Sequence, residues 1–207
     1  MSKNPEKYLT ITKQYGPQEF KEKGSRFISF LYPVGGKEEA EKILHVLRKK
    51  FHDATHVCFA YRLGEGEERY FRFSDDGEPS GTAGMPIYNE IKSSSYFNVL
   101  AAVVRYYGGT KLGSGGLARA YGKSAALVTA VSKKVTIYIK KEAEVLFPYH
   151  FTGEMMQVVK RYSLDIPVRE DRVEGVYMKL AVPVGLIDEI IKVISNKSSG
   201  KVKLLKV

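Results

Sequence analysis

Residues 99–104 read Val-Leu-Ala-Ala-Val-Val, with no polar side chain among them. An apolar run this short fits a strand buried on both faces, and the pattern predicts one over residues 98–107. Residues 37–51 follow a different rule. Ala40, Ile43, Leu44 and Leu47 recur at helical spacing among lysines and glutamates, which predicts an amphipathic helix. Residues 116–131 predict a helix that is apolar nearly all round and therefore buried. Upstream, residues 8–16 and 19–33 carry β-branched and aromatic side chains in partial alternation, an opening hairpin broken at Gly16-Pro17. Strands follow at 57–63 and 69–73 around a turn at Gly64-Glu65-Gly66, then a loop over 74–84 and a short helix over 86–93. The pattern changes after Ser132-Lys133-Lys134. Beyond it the expectation is a strand at 135–147, a helix at 151–162, strands at 165–170 and 176–182, a helix at 186–195 and a strand at 201–207. This β-α-β-β-α-β succession is the ferredoxin-like order. The chain is thus expected to be α+β, with domains at 1–134 and 135–207, each with its own core.

Composition narrows the surroundings. The chain has 207 residues and ordinary apolar content, so it can bury one good core or two small ones. No apolar run approaches the ~20 residues of a membrane span, and no signal core follows the N-terminus. Cys58 is the single cysteine, which excludes an internal disulfide. A cytoplasmic location is the expectation. The formal net charge is +10, and residues 1–134 hold 21 basic against 14 acidic side chains. A basic front domain points to a polyanionic partner such as RNA, a ribosome or a phosphate-bearing small ligand.

The charge has a focus. Residues 105–124 place five glycines between Gly108 and Gly116 and surround them with Arg105, Lys111, Arg119 and Lys123. A strand passing through a glycine loop into a helix leaves backbone N–H groups unpaired at the dipole's positive end, a seat for phosphate. Arg105, Tyr106, Lys111, Gly113, Ser114, Gly115, Gly116, Arg119 and Lys123 are therefore the candidate anion or nucleic-acid residues. Tyr106 and Tyr107 are candidate stacking aromatics. Arg105 ends the buried strand and has a second reading, as a structural ion pair with Asp75 or Asp76.

The other polar concentration is residues 73–84, where Asp75, Asp76 and Glu78 precede small hydroxylated residues and glycines. These oxygens suit Mg²⁺, and the two loops are expected to line one cleft as a phosphate-processing alternative. Turn and cap chemistry explains the same residues without a metal. His52, His56 and Cys58 lack the remainder of a zinc motif, and Cys58 is expected to be a buried structural thiol. Gly122-Lys123-Ser124 has the wrong spacing for a phosphate-binding loop of the Walker type, and the dinucleotide pattern at Gly113–Ala118 lacks its alternating strands and helices.

Taken in order, these segments resemble the IMPACT/YigZ family. The resemblance rests on Ala54-Thr55-His56, Cys58, Ala60-Tyr61-Arg62-Leu63-Gly64, the run from Ser74 to Gly84, Arg105-Tyr106-Tyr107-Gly108-Gly109-Thr110-Lys111-Leu112-Gly113, Gly115-Gly116-Leu117 and Arg119-Ala120-Tyr121-Gly122. It covers residues 17 to about 130, with Tyr107 where phenylalanine is usual. It implies a front domain similar to the second domain of the fifth small-subunit ribosomal protein. It also implies a rear domain like the ferredoxin-like last domain of elongation factor G. Eukaryotic relatives are translational regulators that reach a kinase pathway through an added N-terminal domain. This chain opens directly on the front domain, so kinase regulation is not implied. The expectation is a non-catalytic RNA- or ribosome-binding protein acting in translation or its regulation. A phosphate-processing enzyme and a protein-interaction module are the alternatives.

Overall fold

The doubly buried strand organises the front of the molecule. The computed structural model describes residues 7–64, 70–198 and 202–206, and the chain divides into two units, Met1–Ile137 and Tyr138–Val207. In chain order the front elements are β1 (Lys7–Thr10), β2 (Tyr15–Glu22), β3 (Ser25–Pro33), α1 (Lys37–Lys50), β4 (His56–Leu63), β5 (Tyr70–Ser74), α2 (Gly84–Ser93), β6 (Val99–Tyr106), α3 (Gly113–Ala130) and β7 (Val135–Tyr138). Five strands form one antiparallel sheet in the order β2-β3-β6-β4-β5, and β1 pairs with β7 apart from it. β6 is the middle strand, which is why its apolar run is unbroken: each face must be covered. Val99, Ala101 and Val103 join a core with Ile87, Ile91, Leu117, Tyr121 and Val128 of α2 and α3. Leu100, Ala102 and Val104 join another with Ala40, Leu44 and Leu47 of α1.

Three front expectations need correction. The opening hairpin turns at Lys23-Gly24, not at Gly16-Pro17, and residues 19–33 are two strands. Lys23 and Gly24 have φ of 46° and 80°, the pair of left-handed residues that a two-residue turn between twisted strands requires. α3 begins at Gly113, three residues before the expected start, so helix geometry extends into the glycine loop. The strand expected over 135–147 is broken at Ile139, with β7 before the break and β8 (Lys140–Phe147) after it. The turn expected at 64–66 lies, beyond Gly64, outside the described residues.

The rear unit continues from β8 through α4 (Thr152–Tyr162), β9 (Asp165–Arg172), β10 (Gly175–Pro183), α5 (Ile187–Ser198) and β11 (Lys203–Lys206). Its antiparallel sheet has the order β11-β8-β10-β9. Val145, Phe147, Met178 and Leu180 pack with Met155, Val158, Ile190 and Ile194 of the two helices. The other sheet face is polar. Lys179 lies 3.4 Å from Glu144 and 3.6 Å from Glu142, and the Arg172 guanidinium covers the Tyr177 ring at 3.8 Å. That ring is thereby closed to stacking partners.

Candidate functional site

The acidic loop is occupied by its own protein. The Asp75 carboxylate accepts the backbone N–H groups of Gly81 at 2.9 Å, Ala83 at 2.9 Å and Gly84 at 2.8 Å. It thus satisfies donors at the start of α2 that would otherwise be orphaned. Burial pushes its pKa up, but the three N–H bonds together hold it below the ordinary carboxylate value. Asp76 accepts the Val57 N–H at 2.7 Å and faces the Arg48 guanidinium at 3.6 Å. Its carbonyl oxygen accepts from His56 Nδ1 at 2.7 Å.

Glu78 turns inward, and its side chain is 3 % exposed. It forms a buried ion pair with Arg105 and accepts from the Tyr121 hydroxyl at 2.8 Å, with His56 Nε2 at 3.7 Å. A carboxylate is tolerated at such a depth only with partners of this kind. The thiol of Cys58 completes the cluster, donating to the Asp75 carbonyl at 3.0 Å and lying 3.3 Å from the Tyr121 hydroxyl. Burial pushes this thiol well above its ordinary pKa, against the lowering pull of Tyr121.

These contacts correct two site expectations. The three carboxylates do not converge: one caps a helix, one ties β4 to the loop, and one is consumed in the core. Among the described residues no group of three His, Cys, Asp or Glu side chains is arranged to hold a metal ion. Asp75, Asp76 and Glu78 are thus not disposed to share Mg²⁺. Arg105 is 4 % exposed and belongs to the buried pair, so it is not presented to an outside anion. Its partner is Glu78, not Asp75 or Asp76.

The glycine loop shows the opposite condition. Gly108 lies so close to the β2–β3 turn that an added Cβ would meet the Gly24 carbonyl carbon at 1.9 Å. The Gly108 N–H donates to Ser25 Oγ at 3.2 Å, and the same oxygen accepts from Arg105 at 3.3 Å. One end of the loop is therefore fixed to the buried cluster. Beyond it Gly109, Thr110, Lys111, Gly113, Ser114 and Gly115 are exposed. The first turn of α3 has no side-chain cap and no acidic residue. No acidic residue occurs anywhere between Glu90 and Glu142.

A groove of about 250 Å³ runs between this helix and the end of β2. Gly116, Arg119 and Lys123 form one wall; Phe20, Glu22 and Lys23 form the other. Lys111, Arg119 and Lys123 are all exposed. No carboxylate among the described residues pairs with Lys23, Lys111, Arg119 or Lys123. Lys123 Nζ rests over the Phe20 ring at 4.4 Å. Tyr106 is engaged elsewhere, donating to Asp53 at 2.8 Å with Arg26 over its ring at 4.5 Å, whereas Tyr107 is exposed.

Sequence reasoning gathered Lys111, Arg119 and Lys123 but missed the Phe20, Glu22 and Lys23 wall. The polar cluster Lys21-Glu22-Lys23-Gly24 was the available signal for the turn that brings this wall to α3.

Comparison with known proteins agrees with the earlier resemblance. The family model described as the Impact N-terminal domain matches residues 23–129. The chain is 44% identical over 117 residues to IMPACT family member YvyE of Bacillus subtilis (strain 168), covering 56% of this chain and 53% of that protein, about half of its length. It is 33% identical over 187 residues to IMPACT family member YigZ of Escherichia coli (strain K12), covering 88% of this chain and 90% of that one. A solved structure described as that of a hypothetical protein superposes with a TM-score of 0.71 at 29% identity, over 98% of both chains.

Proposed function

This chain belongs to the IMPACT family, and we propose that it is a cytoplasmic RNA- or ribosome-binding protein with a role in translation or its regulation. One observation carries the binding half of this reading. Three cations, Lys23, Arg119 and Lys123, line a groove at the start of α3, with Lys111 exposed just before that helix, and none of the four has a carboxylate partner among the described residues. Cations that stabilise a fold are normally neutralised within it, as Arg105 is; a cluster without partners is suited to phosphate. The translational half follows from the family resemblance, in which eukaryotic members regulate translation. We further propose that the front unit is akin to the second domain of the fifth small-subunit ribosomal protein and that the rear unit is ferredoxin-like. The strand order β11-β8-β10-β9 supports the latter. The phosphate-processing alternative loses its motive, because its proposed metal carboxylates are bound to protein donors.

Titration of the protein with ribosomes and with labelled RNA at several salt concentrations tests the proposal. Lys111→Ala and Arg119→Ala should each weaken binding to all sequences alike and flatten the log–log salt dependence by about one unit. A double variant that binds with wild-type affinity and slope would remove the glycine loop and groove from the interface.

A further inference from the structure

We infer that the groove between β2 and α3 receives one unpaired nucleotide of single-stranded RNA, with its base against Phe20 and its phosphate between Arg119, Lys123 and Lys23. The inference rests on the RNA-binding reading and narrows it. The groove's volume of about 250 Å³ falls just below the ~300–1,000 Å³ of sites that enclose a whole small molecule. It is matched instead to a single unit protruding from a longer chain. A flat basic surface would serve a duplex, whose bases are stacked away and whose phosphates lie outside. A slot with an aromatic wall serves a base that has been splayed out.

The two walls divide the chemistry of a nucleotide between them. Arg119 and Lys123 are one helical turn apart on α3 and face the groove together. Lys23 approaches from the opposite side, held by the tight turn. Phe20 is half-buried, anchored by Phe27 with ring centroids 6.0 Å apart, so its orientation is fixed before a ligand arrives. Lys123 now lies over that ring. An exposed cation–π contact contributes only a few-fold to an equilibrium, whereas stacking a base contributes on the order of 5- to 100-fold. Exchange of the ammonium for a base is therefore favourable, and the long lysine stem lets the displaced charge move to the phosphate. Among the described residues, Glu22 is the single carboxylate in the groove wall. It repels phosphate and accepts hydrogen bonds, which assigns it to a donor such as a base amine or the ribose 2′-hydroxyl.

Fluorescence anisotropy on the full chain tests this, using an unstructured RNA 12-mer and a hairpin duplex with the same number of phosphates at one salt concentration. The wild type should bind the strand at least ten times more tightly than the duplex. Phe20→Leu, which keeps an apolar side chain packed on Phe27, should reduce that ratio about tenfold, and Phe20→Tyr should restore it. Arg119→Ala should weaken both complexes. Equal affinity for strand and duplex, or a ratio unchanged in Phe20→Leu with circular dichroism like the wild type, overturns the inference while leaving RNA binding intact. Absence of binding to both RNAs and to ribosomes overturns the broader reading as well.

Discussion

The acidic loop and the glycine loop both concentrate polar groups, yet the first is saturated and the second is open. Every carboxylate of residues 75–78 has protein donors. Among the described residues the cations at 111–123 have no carboxylate partner, and the first turn of the helix they border has no side-chain cap. Polar density alone therefore says little about binding. What matters is whether partners are already supplied by the fold, because a satisfied buried network contributes to specificity and stability while an unsatisfied exposed one remains available to a ligand.

The largest effect that would sharpen this contrast is expected at Glu78. Glu78→Ala leaves the Arg105 charge buried without its partner and should cost about 3–5 kcal/mol in urea unfolding. Replacing both residues together, as Glu78→Leu with Arg105→Met, should recover most of that loss. A single variant as stable as the wild type would show that the pair is not the structural centre described here. Asp75→Ala comes next, at about 1–2 kcal/mol, the range of a lost helix cap. Its pH dependence has a definite sign. The folded-state pKa is held below the unfolded value, so the stabilisation is complete above about pH 4 and is lost as pH falls through the folded value. Unfolding titrations below pH 4 should therefore be steeper for the wild type than for Asp75→Asn.

Cys58→Ala should cost about 1 kcal/mol without altering RNA or ribosome binding. In the native wild type the thiol should resist alkylation at pH 8 and react only on unfolding, since burial keeps it protonated. The smallest stability change is expected on the open loop: Lys111→Ala and Arg119→Ala should stay within about 0.5 kcal/mol of wild type. If those two variants unfold the protein as Glu78→Ala does, the contrast between a saturated and an open loop is lost.

The sequence made the elements legible where one interaction dominates locally. β6 announced itself by an unbroken apolar run and α1 by a clean helical stripe, because burial on two faces or on one leaves different spacings. The hairpin was misplaced because Gly16-Pro17 looked like a terminator, whereas β2 runs through it with a shift in pairing between Tyr15 and Gln18. Arg105 has two readings in the sequence, an anion ligand and an ion pair with Asp75 or Asp76; the pair forms, but with Glu78, because nothing in the sequence says which carboxylate of the loop turns inward. The missing groove wall has the same origin. Phe20 and Lys23 reach α3 only through the position of a turn, and a turn displaced by several residues removes them from view.

The place of β6 in the sheet also governs how the front unit is made. It pairs with β3 on one side and β4 on the other, yet it is the last of the five strands to be synthesised. Until it emerges, β2–β3 and β4–β5 are two separate hairpins, each marginal alone and each presenting an unpaired edge. Folding must wait for contacts of high sequence separation, which slows closure and lengthens the exposure of those edges. Translation arrested before Val99 would leave sticky half-sheets, so this domain is expected to lean on chaperones until residue 106 is free to insert.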